Sequence, residues 1–246
     1  MQPTVFQIIN YILILLVLIL FIRYMWGVFF DGNYQPVDWR YALSKGKVSD
    51  KVKKIEKKYP DKVRFFTWWF LVDRLRLEEI PGDFAELGVY KGESAKILHH
   101  LDPDRTLHLF DTFSGFSGHD LGNETGKAAT YTPDNFSDTE VNKVLNFIGG
   151  NVNIRIYPGY FPETAGAVGE RKFALVNLDA DLYNPTMAGL NFFYPRLSPG
   201  GVLLIHDYNH QWPGVLKAVD SFVSSIPESL IRVPDMDGTV IIVRNK

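Results

Sequence analysis

The chain has 246 residues, 46% of them apolar, a net charge of −2 and no cysteine. That length suits one catalytic domain plus an appendage and can bury a sizeable core. Disulfides, thiolate zinc sites and a cysteine nucleophile are excluded, and the overall charge gives no reason to expect nucleic acid as a partner.

The amino terminus is of a different material. From Ile8 to Ile22 only Asn10 is strongly polar, and with Val5-Phe6-Gln7 the run approaches the roughly 20 residues that cross a bilayer. A basic start and a small-residue cleavage site, expected of a cleaved signal, are both missing. The run exits instead into Arg23-Tyr-Met-Trp26, which suits an interfacial anchor. The alternative is a long apolar helix packed on the domain or on a partner. Between Arg23 and Arg76 lie 13 of the 26 Lys and Arg residues, so a spanning helix would leave the domain on the cytoplasmic side. The lysine-rich stretch reads as a solvated helix face, with anionic lipid headgroups as the other reading.

Residues 31–45 read as a linker or an extended arm that could reach a neighbouring subunit in a homo-oligomer. Val48–Tyr59 is a predicted charged helix ended by Pro60. Phe65–Glu79 is a second helix, too apolar at Phe65, Phe66, Trp68, Trp69, Phe70 and Leu71 for an exposed surface. It covers either the core or a substrate pocket. Pro81-Gly82 then breaks the chain. The organisation is an anchor over 1–30, a linker and helical cap over 31–80, and a sheet domain over 81–246.

Strand and helix signals alternate from there. Strands are predicted at Asp83–Val89, Thr106–Asp111, Val152–Tyr157, from Phe173, from Gly201 and at Thr239–Val243. Helices are predicted at Ser94–His100, about 138–147, Pro185–Leu197 and Val215–Ser224, with Ser198-Pro-Gly-Gly201 as a turn. Such alternation implies an α/β fold, a doubly wound and mostly parallel sheet. Residues 112–137 are polar and aperiodic, too long for a simple connection, and read as a functional lid.

Two apolar runs end in acid: the strand reaching Asp179 and Asp181, and the strand reaching His206-Asp207. Joined by one helix, they are parallel, so these side chains emerge at the carboxyl edge, where ligands of open α/β sheets bind. A divalent metal or a reacting hydroxyl suits that place. Glu86-Leu-Gly88-Val-Tyr-Lys-Gly92 occupies the first strand-to-helix turn, where glycines admit a ligand close to the backbone and the helix offers free N–H groups. Asp111, ending the second strand, is placed to accept hydrogen bonds from a nucleotide ribose. A helix cap is its structural alternative.

In this order the motifs Glu86-x-Gly-x-x-x-Gly92, Asp111-Thr-Phe-Ser-Gly-Phe116, Pro158-Gly-Tyr-Phe-Pro162, Leu178-Asp-Ala-Asp-Leu-Tyr183, Tyr194-Pro-Arg-Leu-Ser-Pro-Gly-Gly201 and His206-Asp-Tyr208 resemble the macrocin O-methyltransferase (TylF/MycF-type) family. The resemblance covers roughly residues 80–225. It implies a Rossmann-like class I methyltransferase with S-adenosylmethionine near Glu86, Gly88, Gly92, Ser94 and Asp111. It also implies a divalent cation, usually Mg2+, at Asp179 and Asp207. His206 stands where metal-dependent members carry an acid, and imidazole suits magnesium poorly. Three readings stay open: Asp179 and Asp207 hold the cation with waters, His206 favours a softer metal, or His206 is a general base without metal. Asp181 is a further ligand or a helix cap, the cap preferred.

The acceptor proton needs a base or a metal, and the histidines near neutrality are His119, His206 and His210. Plain exposure is the alternative for His119, and a backbone-bonded core position the alternative for His206. The expected function is O-methylation of a sugar-like or other small, possibly lipid-linked acceptor by a membrane-anchored enzyme. Two rivals are a tethered, non-catalytic scaffold of the same fold and a nicotinamide-dependent oxidoreductase; the absence of GxGxxG opposes the latter.

Overall fold

A computed structural model describes residues 4–26, 34–150 and 152–245. The chain divides into two compact units, residues 1–48 and 49–246. In the first, α1 (Val5–Trp26) is one continuous helix with no buried residue. At 1.5 Å per residue its 22 residues span about 33 Å, so length and composition allow it to cross a membrane. α2 (Val37–Ser44) is a helix where the sequence suggested an extended arm; the rest of that arm, 31–33, lies outside the described residues. The segment carries no glycine or proline between Val37 and Ser44 to oppose helix formation.

The second unit opens with α3 (Asp50–Lys58) and α4 (Lys62–Leu77). Each is capped by a side chain on a free N–H, Ser49 on Val52 and Asp61 on Arg64, satisfying donors that the first helical turn leaves open. Then come β1 (Asp83–Leu87), α5 (Glu93–Leu101), β2 (Leu107–Asp111), α6 (Gly118–Leu121), α7 (Val141–Ile148), β3 (Ile154–Pro158), β4 (Phe173–Leu178), α8 (Tyr183–Phe193), β5 (Leu197–Ile205), α9 (Pro213–Val223), β6 (Ile231–Arg232) and β7 (Val240–Val243).

These strands form one sheet in the order β3-β2-β1-β4-β5-β7-β6. The first five are mutually parallel, whereas β7 runs antiparallel to β5 and to β6. The strand order reverses between β1 and β4, which opens a crevice above their carboxyl ends. The sheet is mixed because β7 folds back from β6 as its antiparallel neighbour and inserts between β6 and β5. β6, two residues long and exposed, carries too little apolar pattern to be read from sequence.

Ser198-Pro-Gly-Gly201 is not a free turn. It forms the first part of β5, where the register against β4 shifts between Phe173 and Leu175. The core beside the sheet is aromatic: Phe193 is fully buried, stacks on Phe161 at 5.6 Å and meets Phe110 and Phe173 edge-on. Such pairs add to plain area burial. Truncation of Phe193 to Ala is expected to cost about 3–5 kcal/mol, read as a lower midpoint in chemical denaturation with an unchanged slope.

Candidate active site

A cavity of about 540 Å³ sits at the switch point, bordered by the turn after β1, Asp111 and Thr112 after β2, Asp179–Leu182 after β4 and Asp207 after β5. Of the residues expected to hold a cofactor, Gly88, Gly92, Ser94 and Asp111 line it. Gly88 has φ 86°, and a Cβ there would lie 1.8 Å from the Asp179 carbonyl oxygen. This glycine is demanded by the closeness of two strand ends, not by a ligand alone.

Asp111 works as a local tie. Its Oδ2 accepts from the backbone N–H of Val89 at 2.7 Å and of Tyr90 at 2.8 Å, and its Oδ1 from Phe113 at 2.7 Å. One carboxylate thus fixes the β1–α5 turn against the start of the 112–137 segment. Oδ1 keeps capacity for another donor.

Glu86 does not line the cavity. It is fully buried, its Oε1 accepts from Asn177 Nδ2 at 2.8 Å, and its Oε2 has no hydrogen-bond partner. Burial pushes its carboxyl up to about 8, opposed by the neighbouring Ser94 hydroxyl and the Asn177 amide. Glu86 is therefore a buried acid behind the cavity wall.

None of the three candidate histidines, His119, His206 and His210, lines the cavity. His206 is 2% exposed and is absent from the cavity wall. Its Nε2 meets Asn177 Oδ1 at 2.7 Å and its Nδ1 meets Thr239 Oγ1 at 2.8 Å. The tautomer follows from the network. Trp68 Nε1, a donor only, also points at Asn177 Oδ1, at 3.1 Å, so that oxygen is an acceptor and His206 Nε2 donates. Burial, reinforced by the Arg64 charge, pushes the imidazole down to about 3. His206 is a neutral core residue with both nitrogens engaged by Asn177 and Thr239, and not the cavity-facing base or metal ligand expected from sequence. His119 is exposed and borders, with Ser114 and Glu163, a hollow that adjoins the cavity through Thr112, Phe116 and Tyr160. His210 is exposed and off the cavity.

Acids take the place of histidine. Asp179, Asp181 and Asp207 all line the cavity, and Asp181 and Asp207 both have left-handed backbones, φ 58° and 59°, strained for non-glycine residues. Asp181 is not the α8 cap: the cap residue is Leu182, which offers no side-chain bond. Burial, then the charge of Asp207, raises Asp179; burial, then Asp179, raises Asp181; burial, then Asp181, raises Asp207. The donors are hard oxygens, the kind Mg2+ prefers. Yet among the described residues no group of three or more His, Asp or Glu stands in a metal-ligating arrangement.

Several wall residues were missed from sequence. Arg64 donates from Nε to Asp235 at 2.9 Å and from Nη2 to Asp237 at 3.1 Å, and its charge opposes the rise of Asp179. Arg64 and Trp68 are four apart on α4, one face of the helix, and both line the cavity with Tyr59. That spacing was a usable signal. The 112–137 segment does border the cavity, through Thr112, Phe116, Asp120, Lys127, Tyr131 and Phe136. Phe116 stacks on Tyr131 at 5.2 Å. Asp120 is buried and accepts from Tyr160 at 3.0 Å and from Asn184 at 2.9 Å; no local motif announces it.

The arrangement is that of an open α/β domain built to hold a nucleotide-type ligand beside an acid-lined hollow. Its fold is the methyltransferase fold. The solved structure of the O-methyltransferase NovP superposes with a TM-score of 0.64 at 25% identity over 75% of this chain and 81% of that one. A calicheamicin methyltransferase shares the fold at a TM-score of 0.57 and 19% identity, over 85% and 94% of the two chains. The chain belongs to the macrocin O-methyltransferase (TylF) family, whose profile matches residues 62–242. Demethyldecarbamoylnovobiocin O-methyltransferase of Streptomyces niveus is 30% identical over 65% of each chain. Mycinamicin III 3''-O-methyltransferase of Micromonospora griseorubida is 32% identical over 52% of this chain and 56% of its own. An O-methyltransferase of Streptomyces olivaceus, named for the 4'-position of a rhamnosyl-tetracenomycin, is 30% identical over 56% and 58%. The chain thus spans between 56% and 65% of the length of these curated relatives.

Two outcomes follow from this geometry. Gly88→Ala is expected to unfold the switch point, read as loss of the cooperative thermal transition or a large drop in its midpoint. Carboxyls raised in the folded state bind more protons there than in the unfolded chain between about 4 and about 8, so stability falls as pH rises through that window. Asp207→Asn is expected to flatten that decline. At pH 8 the variant should melt higher, by about 2–4 °C for each kcal/mol of repulsion relieved, in scanning calorimetry.

Proposed function

We propose that this chain is an S-adenosylmethionine-dependent O-methyltransferase acting on a hydroxyl of a sugar-like small molecule. The observation that carries the reading is the cavity at the β1/β4 switch point in a member of an O-methyltransferase family. S-adenosylmethionine, when bound, supplies an electrophilic methyl group, and transfer to oxygen then depends mainly on alignment. Gly88, Gly92, Ser94 and Asp111 would hold the cofactor on the β1–β2 side. The acceptor would lie over Asp179, Asp181 and Asp207, against the aromatic wall of Trp68, Tyr131, Phe136 and Trp212. Aromatic faces beside carboxylates suit a polyol ring, and one relative is named for a rhamnosyl-bearing compound.

The acceptor proton goes to a carboxylate in this reading. Asp207 lines the cavity, and its raised proton affinity makes it a stronger base than an ordinary aspartate. A divalent cation such as Mg2+, held by Asp179, Asp181 and Asp207 once drawn together, would relieve their repulsion and acidify the hydroxyl. We also read α1 as a single membrane span with the domain on the cytoplasmic side. Its exposed apolar surface and the basic residues after it support this, and a membrane-bound acceptor fits such an anchor.

Calorimetric titration with S-adenosylmethionine is the core test: saturable heat is expected, and none would remove the proposal. Asp207→Asn is expected to lower kcat about 10²–10⁴-fold, while His206→Asn should leave the pH profile of kcat unshifted. Methyl transfer that is abolished by EDTA and restored by Mg2+ supports the cation, whereas full activity in EDTA rejects it.

A further inference from the structure

Charge is segregated along this chain. Between Arg23 and Arg76 thirteen basic and six acidic residues leave +7, while the whole chain is −2, so the remainder carries −9. Much of the basic excess is concentrated on α3, whose sequence from Asp50 is Asp-Lys-Val-Lys-Lys-Ile-Glu-Lys-Lys. Val52 and Glu56 are its buried positions, and Lys51, Lys54, Lys57 and Lys58 are exposed. At about 100° per residue the four lysines fall within an arc of roughly 120°, turned away from the Val52–Glu56 edge.

The other charges of the helix are accounted for. Lys53 pairs with Asp50 at 3.0 Å, and Glu56 pairs with Lys62 at 3.1 Å. Asp50 falls on the same arc and its charge also acts on Lys54, while Glu56 lies on the buried edge, so the face keeps four lysines against one acid. Like charges at helical spacings three and four apart repel, so this face does not stabilise its own helix. A ligand surface that is broad and negative would remove that cost.

We propose that the lysine face of α3 binds the anionic headgroups of a phospholipid bilayer. The proposal rests on the reading of α1 as a membrane span, because α3 begins at Asp50, a short stretch of chain after α1 ends at Trp26. A chain anchored by α1 keeps α3 close to the same bilayer, where weak individual contacts act together. The binding is electrostatic, one lysine to one headgroup region, and requires no pocket. The −9 carried by the rest of the chain is repelled by the same surface, which favours contact through the basic segment.

The test uses the full chain in bilayers of phosphatidylcholine alone or with about 30 mol % phosphatidylglycerol, which has no amine to compete for the reagent. Amine acetylation rates are read lysine by lysine by mass spectrometry. Lys51, Lys54, Lys57 and Lys58 are expected to react at least about threefold more slowly in the anionic bilayer. The difference should vanish in about 1 M salt, where the Debye length falls to about 3 Å. Lys172 and Lys217, exposed on other elements, should react equally in both. Equal rates at the α3 lysines overturn the proposal, as does protection by single-stranded RNA without protection by the anionic bilayer. Flotation with phosphatidylcholine vesicles after alkaline wash reports separately on α1. If the chain does not float, the anchor reading fails; vesicles are then added to the free chain and the same rate comparison decides the lysine face.

Discussion

The site depends on one close approach, between the end of β1 and the end of β4. Gly88 passes so near the Asp179 carbonyl that no side chain fits between them, and Asp179 N–H donates to Leu87 O at 2.8 Å. These contacts bring the glycine turn and the first acid of the cluster together at the point where strand order reverses. Because the connections leave in opposite directions at that point, the cavity has the glycine turn and Asp111 on its β1–β2 side and an acidic side over β4 and β5.

Beneath the cavity lies a buried polar layer that decides which groups can do chemistry. Glu86 and Asn177 are register partners across β1 and β4, so their side chains meet. Asn177 in turn accepts from Trp68 and from His206, and His206 Nδ1 meets the Thr239 hydroxyl, which also lies against Asp235 beside Arg64. The chain of contacts takes a helix, three strands and a turn. Its effect is to engage both nitrogens of His206 with neighbouring side chains, while the carboxylates at the cavity wall crowd one another.

That crowding is itself informative. Asp179, Asp181 and Asp207 raise each other because each is desolvated at the cavity wall and faces a like charge. Two of them sit on strained backbone, a cost that packing within the sheet edge sustains. Arg64, held between Asp235 and Asp237, keeps a positive charge near the cluster without entering it.

The order of motifs in the sequence was enough for the family, the alternating α/β pattern and the sheet edge to which Asp179 and Asp207 belong. These are local properties: short apolar runs make parallel strands, and acids at their ends emerge at one edge whatever else the chain does. Tertiary structure decided the role of each residue. His206 looked reactive in sequence because an imidazole after a strand is a plausible base, but Asn177 and Thr239, 29 and 33 residues away, engage it. Asp111, expected from sequence as a ribose ligand, ties two stretches of backbone together; Arg64 and Asp120, which no motif marked, border the cavity. Burial and pairing are properties of neighbours far along the chain, and they set protonation, so no local spacing could reveal them.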